Sequence, residues 1–421
     1  MPSRERRAPK LMKQRLLPGP FLRVTVANFF FFLNFASFFL LPLRVTALGG
    51  SESLVGAVMG TFGVAALVSL PFVALTIDRF GRRRLLICGA LGMSLASVGY
   101  LFVDRIGPAF FALRILQGFS FAAAFTATTT FAAAYAPFER RAQALGIFGL
   151  STLLTHAIAP GLGELIIQWK GFTPLFIGAS SCSLVTVALA LPLPQRLGHR
   201  AAAAATAPAP ITGVFWAIGA TTLLGAIGFG TVITFISSFV HSEGLGRVGF
   251  FFAAYTSAAI LSRLVGAGLS DSIGRRPVIL PTLLGLGASI GLLALARTVP
   301  LLLLSGAAFG LAQGMSYPTL QALLVDLSVE SNLGRAQALF NGAFNLGVTS
   351  SAFIFGMVAE RFGYRTMFTL AATTPVAAFL VFYFCGSQSV PLLGKEGTAQ
   401  TEATACDSSS TLSSAKRTAS A

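Results

Sequence analysis

Long apolar stretches make up most of the chain, and short polar or basic segments separate them. Twelve of these stretches are long enough to cross a bilayer, because a membrane-spanning helix needs about 20 mostly apolar residues. The pattern therefore predicts an all-α membrane protein with twelve transmembrane helices. The predicted spans are 24–43, 53–77, 85–103, 109–134, 142–166, 174–191, 213–240, 250–269, 278–296, 300–325, 336–360 and 364–385.

The composition excludes a water-soluble globular domain. Hydrophobic residues make up 54% of the chain and charged residues only 10%, whereas soluble domains are about 25% charged. The formal net charge of +16 would also suit nucleic-acid binding. The basic residues, however, lie in short runs between apolar stretches and form no basic face with interleaved aromatic residues. We therefore expect the lipid bilayer as a partner, and no nucleic acid.

Motifs of soluble enzymes are missing or misplaced. The four cysteines include no C-x-x-C pair and the histidines are isolated in sequence, so neither a metal site nor a disulfide framework is predicted. The segment Gly287–Gly291 fits G-x-S-x-G but lies within a predicted helix rather than at a strand-to-helix turn. No P-loop sequence occurs. We expect a protein that is not an enzyme and uses no cofactor.

Lysine and arginine are distributed unevenly between the two sides of the membrane. The segments on the side of the membrane that holds the N-terminus contain about three times as many of them as the loops on the other side. Positively charged loops stay in the cytoplasm. We expect a multi-pass plasma-membrane protein (the inner membrane in a bacterium) with both termini cytoplasmic. The expected parts are a cytoplasmic N-terminal segment (1–20), a six-helix bundle (21–191), a cytoplasmic linker (192–212), a second six-helix bundle (213–385) and a disordered cytoplasmic tail (386–421).

The sequence repeats itself at nearly half its length. The pentapeptide RAQAL occurs at Arg141–Leu145 and again at Arg335–Leu339. IDRFGRR and SDSIGRR follow the second and eighth predicted helices, and WKGFTPLF and RFGYRTMF introduce the sixth and twelfth. Each pair is separated by 192 to 194 residues. The chain is therefore predicted to contain two copies of a six-helix unit in the same membrane orientation, which is typical of secondary transporters.

The two loop motifs resemble the G-x-x-x-D-R-x-G-R-R signature of the major facilitator superfamily of secondary transporters, with alanine in place of the leading glycine in both copies. The resemblance extends from about residue 20 to residue 385. It implies two six-helix bundles related by a pseudo-twofold axis, and a latch that closes the cytoplasmic side; arginines that only set the topology are the alternative. The latch candidates are Asp78, Arg79, Gly81, Arg82, Arg83, Arg263, Asp271, Gly274, Arg275 and Arg276.

The fourth predicted helix carries a charged residue within the membrane. Arg114, Gln117 and Gly118 resemble the R-x-x-Q-G pattern of the superfamily. Arg114 lies about 9 Å from the outer edge at 1.5 Å per residue, and a charge at that depth is costly. The resemblance implies a role for this arginine in proton coupling, and structural pairing is the alternative.

The fifth predicted helix resembles a degraded form of the superfamily's antiporter signature, which favours export. Two of its residues, His156 and Glu164, are further candidates for carrying the coupled proton, because imidazole and carboxylate groups titrate. Hydrogen bonding to a neighbour is the alternative for His156. The matching positions are Gly146, Pro160 and Gly163, and the replaced glycines are Thr155, Ala159 and Glu164.

In this superfamily, helices one, four, seven and ten line a central cavity. The tenth predicted helix has three polar residues at i, i+4 steps, which place them on one face. The candidate substrate contacts are Asn28, Asn34, Arg114, Gln117, Gln313, Tyr317 and Gln321. Hydrogen bonding between helices is the alternative for these residues. Gly306, Gly310 and Gly314 follow a small-xxx-small spacing that predicts close packing of helix ten against a neighbour.

These features predict a transporter that works by alternating access. We favour proton-driven efflux of a small organic solute that is fairly apolar or anionic, because helix one has no acidic residue and Arg114 lacks an evident counter-charge. Proton-coupled uptake of a sugar or another metabolite is the alternative, and a transport-inactive receptor or scaffold is a third possibility. The expected partners are a small-molecule substrate, protons and the bilayer, and the protein is expected to be a monomer.

Overall fold

The described residues form a bundle of membrane-spanning helices. The computed structural model describes residues 19–137, 140–195, 213–329 and 332–385, so most of the N-terminal segment, most of the linker and the C-terminal tail lie outside them. Eleven helices of the described part are long and apolar enough to cross a membrane. The longest, Leu333–Cys385, contains two helices that meet at the non-helical residue Gly363. The described part therefore contains the twelve spans that the sequence predicts.

The spans are numbered α1 to α12 in chain order. A short 3-10 segment, Phe38–Leu40, interrupts the first of them. The spans are α1 Gly19–Ala47, α2 Glu52–Phe80, α3 Arg82–Gly99, α4 Pro108–Tyr135, α5 Arg141–Lys170, α6 Phe172–Ala190, α7 Gly213–Ser242, α8 Val248–Ser272, α9 Arg276–Ala294, α10 Val299–Asp326, α11 333–362 and α12 364–385.

Four glycines form sharp turns at equivalent places in the two halves of the chain. Gly81 and Gly274 follow α2 and α8, while Gly171 and Gly363 follow α5 and α11. All four have φ between 76° and 93°, a region that residues with a Cβ atom rarely adopt. The turns recur with the same separation as the sequence motifs, so the duplicated six-helix unit is present in the structure.

Helix α10 packs against α8 through glycines. A Cβ atom added to Gly310 would lie 2.2 Å from the carbonyl oxygen of Tyr255, and one added to Gly306 would lie 2.9 Å from that of Phe251. Gly314 faces the backbone of Ala259 at the same short range. In a bilayer, such small residues let helices approach closely and gain van der Waals contact. The predicted structural role of this glycine row is confirmed.

The buried apolar residues show how the two halves meet. One cluster combines both halves and includes Phe39 of α1 and Phe252 of α8. Two further clusters each stay within a single half, around Phe131 and around Phe340. We call the end of the bundle with the loops after α2 and α8 the arginine-rich end, and the other the opposite end. The shared cluster lies toward the opposite end and the separate clusters at the arginine-rich end, so the apolar packing between the halves, among the described residues, lies toward one end.

Substitution of Gly310 tests the packing of α10 on α8. We expect Gly310→Ala to cost about 1–3 kcal/mol of stability, because its Cβ has no space beside the α8 backbone. The melting temperature of the detergent-purified protein should fall by several degrees. Gly178→Ala is the matched control, since a Cβ at that position meets no atom within 4 Å. Equal melting temperatures for the two variants would contradict the close contact.

Candidate functional site

Helices α2 and α11 join the two halves on one side of the bundle. A Cβ atom on Gly56 of α2 would lie 2.1 Å from the carbonyl oxygen of Ala352 of α11. Glu360, at the end of α11, accepts hydrogen bonds from the hydroxyl of Ser51 at 2.9 Å and from the backbone N–H of Ser53 at 3.1 Å. A carboxylate at a helix N-terminus satisfies free N–H groups and is stabilised by the helix dipole. Glu360 therefore caps a helix of the other half.

Helices α5 and α8 form the same kind of contact on the other side. A Cβ atom on Gly249 would lie 2.9 Å from the Cα of Gly161. The two carboxylate oxygens of Glu164 accept hydrogen bonds from the backbone N–H groups of Val248 at 3.1 Å and Gly249 at 3.0 Å. Glu164 is buried, with 8% of its surface exposed. Since α5 corresponds to α11 in the repeat and α8 to α2, two carboxylate caps close the opposite end in a pseudo-symmetric arrangement.

The contact between α5 and α8 continues from the opposite end toward the middle of the membrane. The ring of His156 lies 6.4 Å from that of Tyr255. Further along, a guanidinium nitrogen of Arg263 lies 3.7 Å from where a Cβ of Gly149 would be. One turn beyond, a Cβ on Gly146 would meet no atom within 4 Å. Helices α5 and α8 therefore pack together as far as Arg263, and we call the space between the halves beyond it the gap.

Arg263 occupies the inner limit of this gap. Its Nε is buried without a hydrogen-bond partner, and no ion pair with another described residue engages its guanidinium. Its electrostatic neighbours are the Tyr255 and Tyr317 hydroxyls and the His156 ring. The sequence predicts that Arg263 serves the cytoplasmic latch, whereas in the present conformation its guanidinium lies beside Gly149 of α5. Sequence spacing alone did not indicate which neighbouring helix it faces.

Arg114 is held differently. Its Nε donates to the carbonyl oxygen of Val58 at 3.1 Å, and a terminal nitrogen donates to Oε1 of Gln117 at 2.9 Å. The guanidinium lies 4.9 Å from the ring centre of Phe62, and only 3% of the residue is exposed. Within the described residues no carboxylate pairs with it. The predicted shared face of Arg114 and Gln117 is confirmed, and this arginine is bonded to α2 in the present conformation.

The two asparagines of α1 link helices within the first half. The amide nitrogen of Asn28 donates to the hydroxyls of Ser151 at 3.2 Å and Thr152 at 2.9 Å, while its buried oxygen has no partner. The amide nitrogen of Asn34 donates to the hydroxyl of Ser97 at 2.9 Å and to a carbonyl of α6 at 2.7 Å. Asn34 thus faces α3 and α6, away from the gap, and we leave it out of the proposed substrate contacts.

Two polar residues of α10 border a small, partly open cavity. Gln313 and Tyr317 line this cavity together with Thr221 and Thr222 of α7. Its volume of about 20 Å³ admits one water molecule and no organic solute. Gln321 lies one turn further toward the arginine-rich end and is half-buried. The three residues therefore differ in surroundings although they share one helix face.

The second loop motif holds helix ends together within its own half. Arg275 donates to carboxylate oxygens of Asp271 and, at 2.9 Å, of Asp326. Burial opposes the charged form of Arg275, but the bonds to Asp326 and Asp271 outweigh this effect and raise its pKa. Arg276 lies 5.7 Å from the ring centre of Tyr383. Gly274 supplies the left-handed turn before these arginines.

The described contacts of Arg79 and Arg83 in the first loop motif also lie within their own half. Arg83 donates to the carbonyl oxygen of Leu193 at 3.3 Å, and Arg79 lies over the ring of Phe80. Arg82 is half-buried at the start of α3. The side chain of Asp78 lies outside the description. The described ion pairs of the loop motifs, from Arg275 to Asp271 and Asp326, lie within the second half.

The antiporter-like positions of α5 lie at the interfaces of that helix. Pro160 is buried. A Cβ on Gly163 would lie 2.7 Å from Leu40 of α1 and 2.9 Å from Leu175 of α6, so this glycine allows close packing within the first half. Gly146 faces open space. The segment therefore joins α5 to its own half and, through the neighbouring Gly161, to α8.

Sequence reasoning missed two acidic residues that carry structural bonds, Glu360 and Asp326. Both lie at or near the C-terminal end of a helix, where the helix dipole disfavours negative charge. Such a position calls for a positive partner, which is the N-terminus of α2 for Glu360 and Arg275 for Asp326. This mismatch with the dipole was the available signal.

Comparisons with known proteins agree with this architecture. Residues 24–251 and 244–417 match the family model described as Major Facilitator Superfamily. The MFS-type transporter YhhS of Escherichia coli K12 is 24% identical over 400 residues, covering 89% of this chain and 95% of that protein. The staphylopine export protein of Staphylococcus aureus Mu50 is 23% identical over 385 residues, covering 86% and 95% respectively. A mutant form of the nucleoside transporter NupG has the same fold, with a TM-score of 0.74 at 16% identity, covering 86% of this chain and 99% of that one.

Separate substitutions of Gln117 and Gln321 show which of the two side chains stabilises the fold. Gln117→Leu should cost about 1–3 kcal/mol, because it leaves a buried donor of Arg114 without its acceptor. The melting temperature should fall. Gln321→Leu should leave it nearly unchanged, since Gln321 is half-buried. A stability loss confined to Gln321→Leu would contradict these assignments.

Proposed function

Because the chain belongs to the major facilitator superfamily, we propose that it is a proton-driven exporter of a small organic solute. Membership of this family makes the protein a multi-pass membrane transporter of small solutes and not an enzyme. The direction of transport, the coupling to protons and the chemistry of the solute are the proposed parts. Each is supported below by a separate observation.

The asymmetric contact between the halves is the observation that carries the proposal. Both halves share one buried cluster at the opposite end and have separate clusters at the arginine-rich end. We propose that the arginine-rich end faces the cytoplasm, as the positive-inside rule favours. The opposite end is then the outer end of the protein. The conformation is then closed to the outside and open to the cytoplasm, which is one of the two states that a rocking transporter alternates between.

Glu164 is the proposed link between protons and this alternation. Its carboxylate caps α8 only while the outer end is closed. Protonation removes the negative charge and one acceptor, so it weakens the cap and favours the open outer end. His156, two turns earlier on the same helix, is the second candidate. Arg114 stays protonated in proteins, and its role in coupling is therefore electrostatic.

Two observations favour export over uptake. The antiporter-like segment of α5 lies in the interface that closes the outer end, where Gly161 meets Gly249. One of the relatives is named as an export protein. Uptake of a sugar or another metabolite remains the rival function, since alternating access works in either direction. A transport-inactive receptor is the third possibility.

Membrane vesicles distinguish these functions. In everted vesicles with an acid interior, we expect an exported solute added outside to dissipate the pH gradient, because each solute entering is exchanged for a proton. A pH-sensitive dye reports this exchange for a panel of aromatic carboxylates, aliphatic carboxylates and neutral sugars. Vesicles without the protein are the control. Gradient-driven accumulation only in right-side-out vesicles would indicate uptake, and no flux with any solute would indicate a receptor.

Glu164→Gln tests the cap. The glutamine nitrogen cannot accept from the α8 backbone and carries no charge, so closure of the outer end should weaken by about 1–2 kcal/mol, roughly five- to thirty-fold. A cysteine at Ser237, which is buried between the halves and bonds to Phe39, should react faster with an impermeant maleimide in a background without other cysteines.

Asp104→Asn is the matched control for this cap experiment. It removes a carboxylate at the same end, where Asp104 pairs with Arg44 within one half at 3.5 Å and is 87% exposed. Such an exposed pair contributes little to stability, so its labelling rate should equal that of the parent. Equal rates for Glu164→Gln and the parent would refute the gating role of Glu164.

A further inference from the structure

We propose that Arg263 binds the anionic group of the transported solute, which makes the protein a carrier of small organic anions with an aromatic body. This inference rests on the proposed transport function and names the substrate class at that site. It starts from the position of one charged side chain relative to the two halves.

Arg263 lies where the halves separate. Toward the opposite end, α5 and α8 contact each other at Glu164, at the Gly161–Gly249 pair and at His156. The guanidinium is beside Gly149, and beyond this point α5 faces open space at Gly146. A solute entering the gap from the arginine-rich end therefore reaches Arg263 at the deepest accessible level. Arg263 lies about 22 Å along α8 from its first residue and about 14 Å from its last, so this level is close to the middle of the membrane.

The charge of Arg263 is not neutralised by the described part of the protein. The carboxylate of Glu164 is bonded to the far end of α8, and that of Asp271 is bonded to Arg275. An unpaired charge within the membrane is costly and marks a functional site. Arg263 is partly exposed and its Nε is buried without a partner, so a carboxylate or another oxyanion can accept two parallel N–H bonds from the guanidinium.

The surroundings of Arg263 favour an anion over a cation. The polar groups in electrostatic range are the hydroxyls of Tyr255 and Tyr317 and the ring of His156. All three can donate a hydrogen bond to an oxyanion. Arg114 cannot take this role in the present conformation, because its three nitrogens already donate to Val58, Gln117 and the sulfur of Met59.

A row of aromatic rings extends from this point along the first half. The ring of Phe39 stacks on His156 at 5.2 Å and meets Phe35 at 5.3 Å. Phe35 in turn lies 4.6 Å from Phe121, which stacks on Phe125 at 5.5 Å. Phe125 has 38% of its surface exposed. Phe39 is buried in the cluster shared by the two halves. Phe35, Phe121 and Phe125 are at least partly exposed and provide an apolar surface on which the flat body of an aromatic anion can pack.

Equilibrium binding to the detergent-purified full chain tests the site. The probes are 1-naphthoate and the neutral, isosteric 1-naphthamide, which differ in charge but hardly in shape. We expect the parent protein to bind naphthoate about ten-fold or more tightly than naphthamide. Arg263→Gln should remove this preference, and Arg263→Lys should retain part of it because the charge remains. Arg297→Gln, which removes an exposed charge in the loop before α10, should behave as the parent.

Thermal unfolding without ligand distinguishes binding from a structural role. Arg263→Gln breaks no hydrogen bond or ion pair with a described residue, so its melting temperature should not fall below that of the parent. The proposal is overturned if the parent binds neither probe or binds both equally, if Arg263→Gln keeps the preference, or if this variant unfolds at a clearly lower temperature.

The binding experiment and the vesicle experiment fail independently. Binding in detergent requires neither a proton gradient nor a direction of transport. Exchange of neutral solutes for protons, with no charge preference in binding, would refute the anion site and leave the export function standing. Charge-selective binding without any flux would support the anion site and refute the export function.

Discussion

The close approach of helix backbones at glycine positions, α2 to α11 and α5 to α8, is the contact on which the rest of the structure depends. In lipid, helices gain little from burying apolar side chains against each other, so van der Waals packing and a few polar bonds must hold the two halves together. Glycines at Gly56 and at the Gly161–Gly249 pair permit this packing. The same contacts are small enough to break, which a transporter with two access states requires.

Two carboxylate caps strengthen this packing at the opposite end. A helix N-terminus has free N–H groups, and an exposed loop can satisfy them with water. Here Glu360 and Glu164 satisfy N–H groups of the partner half instead. Each cap therefore exists only when the halves are together at that end. At the arginine-rich end, the ion pairs of Arg275 stay within the second half.

Two arginines within the membrane illustrate how surroundings decide the use of a charge. Arg114 donates to a backbone carbonyl of α2 and to Gln117, and it lies against an aromatic ring. These contacts stabilise its charge and fix its position. Arg263 has no such bonds and borders the gap between the halves. The first arginine is suited to holding helices together, and the second to receiving a mobile anion.

Much of the fold was predictable because its determinants are local. The lengths of the apolar stretches predicted the twelve spans, and the repeated motifs predicted two halves in the same orientation. The glycine row of α10 predicted a close contact with a neighbouring helix. Gly171 and Gly363, which belong to the repeated segments, form sharp turns in the structure because glycine readily adopts the required φ. Residues adjacent on one helix face, such as Arg114 and Gln117, were also predictable from spacing.

The partners of individual polar residues were decided only by the tertiary structure. Sequence spacing gives the face of a helix on which a residue lies, but the neighbour of that face depends on how twelve helices pack. Asn34 therefore bonds to α3 and α6, and Arg263 faces α5 rather than the latch. The sequence by itself determined the spans, the repeat and the family resemblance, since hydrophobicity and backbone conformation act within a segment. Which end is closed, and which charge remains unpaired, follows from contacts between segments more than 80 residues apart.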